Sequence, residues 1–109
     1  DGVWRGAPLT PLGGAPARHV DCVPAPAGPD RRAAARIAGG AASVEIAFDP
    51  AALPHVQSWR RTEPGLNVFS IEPITHRLAP RAELEQSGEM RLLAPGESVA
   101  IACDLSFSA

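Results

Sequence analysis

The sequence predicts an all-β fold, an antiparallel β-sandwich. Three observations carry the prediction. Seven segments read as strands joined by short turns. Several of them alternate apolar and polar residues with period two, the mark of a strand with one buried face. No segment carries a helix of ordinary length, and no fixed-period repeat stands out.

Residues 1–17 hold four Gly and three Pro with little periodicity and read as a loop-rich lead-in. Arg18–Val23 reads as a short strand that Pro24 ends. The alanines of 32–37 suit a helix, but Gly39-Gly40 cuts it below two turns, so a strand followed by a turn is expected. Val44, Ile46 and Phe48 alternate with Ser43, Glu45 and Ala47, and Asp49-Pro50 stops that strand. Residues 54–60 alternate again, with His55, Gln57 and Trp59 on one face. Pro64-Gly65 occupies the centre of a turn of the type II pattern. Leu66–Ile71 is apolar on both sides and reads as a central strand, ended by Glu72-Pro73. A loop over 74–88 carries a helical turn near 82–86, and Met90–Leu93 reads as a strand. After the tight turn Ala94-Pro95-Gly96-Glu97, residues 98–107 alternate without a break, with Val99, Ile101, Cys103, Leu105 and Phe107 on one face.

Composition bounds the function. The chain has 109 residues, of which 45% are hydrophobic and 20% charged. That is a globular composition, with Gly and Pro below the share that marks disorder. A net charge of -2 leaves no electrostatic footprint for nucleic acid. No apolar stretch approaches a membrane span. All ten basic residues are Arg, which excludes a catalytic lysine or a Schiff base within these residues. Cys22 and Cys103 lie far apart, and neither sits at zinc-ligand spacing. They read as free buried thiols of a cytoplasmic protein. No metal quartet, phosphate-cradling glycine loop or Ser/His/Asp pattern is present, and no cofactor is expected.

The candidate chemistry centres on Glu72. Alternation puts it on one face with Val68 and Ser70, at the end of the most apolar strand. Such a carboxylate is either an edge charge reaching water or a positioned base. Trp59, with His55 and Gln57 on its face, is either a half-buried core residue or a platform for a sugar, whose C–H faces are apolar and whose hydroxyls need polar partners. If residues 54–60 and 66–72 form a hairpin, the Trp59 and Glu72 faces coincide in one of the two registers. His19 and His76 read as solvated, and Arg31-Arg32 and Arg60-Arg61 as exposed turn charges, although arginine also binds phosphate.

Three motifs then fall in order: Leu53-Pro-His-Val-Gln-Ser-Trp59, Val68-Phe-Ser-Ile-Glu-Pro73 and Leu93-Ala-Pro-Gly-Glu-Ser98, followed by the terminal alternating strand. Together they resemble the last third of galactose mutarotase-like proteins, the aldose 1-epimerases and their hexose-6-phosphate epimerase relatives. Val20-Asp21-Cys22-Val23 resembles that family's upstream Asp-x-hydrophobic segment. Ile74 departs from it, since several relatives carry an aromatic after Glu-Pro. The resemblance implies that 1–109 is one partial domain, the C-terminal third of a large β-sandwich (a supersandwich), and the Asp at position 1 is read the same way. It implies a sugar isomerase of carbohydrate metabolism that interconverts the anomers of an aldose by acid–base ring opening. Glu72 matches the general base, and Asp21 matches a carboxylate that binds a sugar hydroxyl, with Trp59 and Gln57 as further substrate-binding residues. The acid histidine belongs to upstream strands, so residues 1–109 alone are expected to be inactive. The substrate is a sugar or sugar phosphate. An exposed apolar sheet face is expected, covered by the N-terminal remainder of the same polypeptide or by another chain. The alternative is a non-catalytic carbohydrate-binding β-sandwich of a larger protein, or a plain structural domain.

Overall fold

The computed structural model describes residues 3–4 and 17–109. Its strands are mostly antiparallel and form two sheets, with one short helix: an all-β, sandwich-like fold. The strands are β1 (Val3–Trp4), β2 (Ala17–Pro24), β3 (Ala33–Gly39), β4 (Ala42–Phe48), β5 (His55–Glu63), β6 (Leu66–Ile74) and β7 (Cys103–Ser108), with α1 (Arg81–Ser87) between β6 and β7. One sheet runs β1-β3-β4-β7, with β1 parallel to β3. The other runs β2-β5-β6, antiparallel throughout. Of the lead-in, residues 1–2 and 5–16 lie outside the described residues.

The turns follow local chemistry. Gly40, at φ 59°, reverses the chain between β3 and β4, and Gly65, at φ 80°, sits at the third position of the Glu63–Leu66 turn with Pro64 before it. Positive φ at that place is what a type II turn demands of glycine. At the end of β4 the Asp49 carboxylate accepts the Ala51 amide at 2.8 Å, and its carbonyl accepts those of Ala52 and Leu53. Gly96, at φ 81°, makes the Ala94–Glu97 turn, and the Glu97 carboxylate closes it on the Ala94 amide at 2.8 Å.

The core lies where the two sheets face each other. Ala33, Ala35 and Phe48 of the first sheet are fully buried, and Val56 of the second and the adjoining Leu53 are nearly so. Val23, Ile46 and Ile71 pack around them. The register makes Ala33, Phe48 and Cys103 neighbours on one face, then Ala35, Ile46 and Leu105, then Ile37, Val44 and Phe107. Burial fades along these rows: Phe48 is 0% exposed, Leu105 59% and Phe107 77%. The expected uncovered apolar face is therefore present among the described residues, on β7.

Several expectations are corrected. β6 is an edge strand; β5 is the centre of its sheet. Pro73 does not end β6, which pairs on to Ile74, because an edge strand tolerates a residue with no amide hydrogen. Residues 90–93 form no strand, and the last strand begins at Cys103 rather than Ser98. Its partner β4 ends at Phe48, opposite Cys103, so residues 98–102 have no ladder to join. The helical turn is a full α1, in which Leu84 is buried and Gly88 takes the left-handed cap at φ 73°. The cysteines are free, but Cys103 is exposed and Cys22 half-buried, because β7 is uncovered and Cys22 sits on an edge strand.

Candidate functional site

The β5–β6 hairpin places Gln57 opposite Glu72 and Trp59 opposite Ser70. Directly opposed residues of an antiparallel pair share a face, and successive same-face residues alternate along each strand. These four side chains therefore form a block on the face turned away from the core, since Val56 and Ile71, of opposite parity, are the ones that pack inward. On the neighbouring strand, Cys22 stands beside Gln57 and Val20 beside Trp59.

Within the block the Gln57 amide nitrogen donates to Glu72 Oε2 at 2.6 Å, and the Ser70 hydroxyl donates to Oε1 at 2.7 Å. One neutral donor on each oxygen fixes the orientation of the carboxyl group. A carboxylate has about four acceptor positions, so lone pairs remain on both oxygens for a further O–H donor. All four residues are half-buried. Such a group is placed to accept a proton from a hydroxyl laid against it.

Asp21 is not brought to this block. The β2–β5 register pairs it with Ser58, which puts it on the opposite face from Glu72. There His19 Nε2 donates to its carboxylate at 2.9 Å, and both side chains are exposed. The β2 residue beside Gln57 on the Glu72 face is Cys22. Among the described residues, no three His, Cys, Asp or Glu side chains gather as a metal would require.

Two features near Glu72 go beyond the sequence reading, which places His55 on the Gln57 face without a role and leaves His76 in solvent. His55, one row beyond Gln57 on the same face, keeps a buried Nδ1 with no hydrogen-bond partner among the described residues. His76, expected to be solvated, is half-buried and lines a cavity of about 350 Å³ together with Leu53, Gln57, Pro73, Ile74, Thr75 and Leu78. Its Nδ1 lies 2.9 Å from the Arg77 carbonyl. A carbonyl only accepts, so Nδ1 carries the proton. The alternation that located Glu72 stops at Ile74, so it has nothing to say about His76.

Beside the cavity, Arg77 clips the segment after β6 to α1. It donates to Glu83 at 2.6 Å and to Glu89 at 2.9 Å. The Glu83 hydrogen bond, then that to Glu89, raises the guanidinium's pKa above its ordinary value. The Ser87 hydroxyl, more than Arg77, lowers that of the Glu89 carboxyl against the opposing effect of desolvation.

The fold and this block define a class: a two-sheet β domain that carries an oriented carboxylate on an outward face. The chain belongs to the family described as a domain of unknown function (DUF4432), whose model matches residues 13–107. Comparison with the curated proteins and with the solved structures finds no match.

Proposed function

We propose that residues 1–109 are the base-bearing, C-terminal part of an aldose 1-epimerase-like isomerase, with Glu72 as general base. The observation that carries the reading is the Gln57–Glu72–Ser70 arrangement with Trp59 in the same block. Glu72 takes the proton from the anomeric hydroxyl while an acid supplied by another part of the protein protonates the ring oxygen. The C1–O5 bond breaks, the C1–C2 bond rotates, and closure from the other face gives the second anomer. Gln57 and Ser70 hold the carboxylate still through both steps, so little reorganisation is needed at the moment of proton transfer. Trp59 offers an apolar surface to the sugar's C–H face.

The uncovered face of β7 is the surface on which the remainder of the polypeptide, or another chain, docks. Free Cys22 and Cys103 support a reducing, cytoplasmic setting. No helix among the described residues is long and apolar enough to cross a membrane.

Anomer exchange of D-galactose or D-glucose, followed by polarimetry on the full protein encoded by the gene, tests the reading. Acceleration by the wild type and its loss in Glu72→Gln is the expected result; equal rates in the two sink it. Half-buried Trp59 beside Ser70 favours one competitor, a non-catalytic carbohydrate-binding domain. That competitor requires sugar binding with no acceleration by the wild type.

A further inference from the structure

Beyond Glu72, the cavity at the end of β6 has the make-up of a small-molecule site. It is a depression of about 350 Å³ that opens broadly to solvent. Leu53, Ile74 and Leu78 give it an apolar wall, and Gln57, Thr75 and His76 supply polar groups. Leu78 is 58% exposed, an apolar side chain at the rim with nothing packed over it among the described residues. Gln57 joins the cavity to the carboxylate, because the residue that lines the one donates to the other. With Nδ1 committed to the Arg77 carbonyl, Nε2 is the ring nitrogen left to meet a ligand, and no hydrogen bond within the described residues uses it. Among the described residues, no arginine or other fixed positive charge lines the cavity. The guanidinium of Arg77, next in the chain to His76, is engaged by Glu83 and Glu89.

We propose that this cavity is the subsite for the hydroxymethyl end of a neutral aldose, with His76 Nε2 accepting a sugar hydroxyl and Leu53, Ile74 and Leu78 covering the C–H surface. The proposal rests on the sugar reading of Glu72 and narrows it: the part of the substrate held here is unphosphorylated. Among the described residues a phosphate dianion in this cavity meets an apolar wall and no unpaired cation, so nothing described compensates its desolvation. His76 is a binding residue, since it touches the sugar away from the bond that breaks.

The test uses the full protein and two probes, D-glucose and D-glucose 6-phosphate. NMR titration follows the His76 imidazole and the methyl groups of Leu53, Ile74 and Leu78. D-Glucose is expected to shift these signals, and the 6-phosphate to bind at least tenfold more weakly. His76→Ala is expected to raise KM about fivefold to tenfold, the worth of one hydrogen bond, and leave kcat in place. His76→Gln, which keeps an acceptor, is expected to recover most of that loss. The proposal is overturned if the 6-phosphate binds equally or better, or if these signals stay still at saturating glucose. An unchanged KM in a folded His76→Ala also overturns it. The same titration on Glu72→Gln separates the two claims. Full activity of that variant with the shifts intact refutes Glu72 as base and leaves the subsite standing, whereas loss of activity with silent cavity signals refutes the subsite alone.

Discussion

Two surfaces of the molecule depart from the usual exposed sheet face in opposite senses. On the outward face of β5–β6, polar side chains bond one another: Gln57 and Ser70 both donate to Glu72. On the face of β4–β7, apolar side chains stand uncovered, with Phe107 77% exposed two rows from fully buried Phe48. A hydrogen-bonded carboxylate gains little from further burial and keeps acceptor sites for a small ligand. An uncovered phenylalanine gains about 1.5–3 kcal/mol from being covered. The first surface suits chemistry and the second suits association, although the same period-two alternation generates both.

Substitutions sharpen this contrast. The largest effect is expected at Glu72. Glu72→Gln keeps the size and the strand pairing but removes the proposed base, so on that reading kcat for anomer exchange should fall by about 10²–10⁴-fold, while the thermal midpoint moves little. Phe48→Ala comes next and reads on stability alone: removing a fully buried ring should cost about 3–5 kcal/mol in denaturant unfolding. Phe107→Asp, on the same face of the same sheet, should change the stability of the 109-residue chain by no more than about 0.5 kcal/mol and reduce its binding of an apolar dye. A loss as large as that of Phe48→Ala would show that the β7 face is covered within the chain itself.

The smallest effect concerns pH. Glu89 is held below its ordinary carboxyl value in the folded state, first by Ser87 and then by Arg77. A depressed folded value means that the unfolded chain takes up the proton first as pH falls. The contribution is therefore complete above the ordinary carboxyl range and is lost as pH drops through the lowered value. Ser87→Ala should move the Glu89 titration, followed by carboxyl NMR, up toward ordinary glutamate and flatten the acid limb of the stability curve.

Alternation was enough to place Glu72 and Ser70 on one face, and Pro64-Gly65 was enough to propose the hairpin that adds Trp59 and Gln57. Asp21 shows where that logic ends. Which residue of β2 stands beside Gln57 depends on register between strands more than thirty residues apart, and a shift of one residue exchanges the two faces. No turn connects β2 to β5 directly, so nothing local sets that register. β7 fails for a related reason. Residues 98–107 alternate like a strand able to pair, but only the last five of them, with Ser108, lie opposite β4. The His76 cavity depends on chain beyond the end of β6, where no periodicity operates.

Pro73 has a consequence for how these chains meet in concentrated solution. It blunts the outer edge of β6 against the addition of another strand. β7, the far edge of the other sheet, has no proline between Cys103 and Ser108 and carries three apolar residues on one side. Left bare, that edge is a template for strand-by-strand accretion, and fibre growth would begin there while leaving the Glu72 face open to solvent.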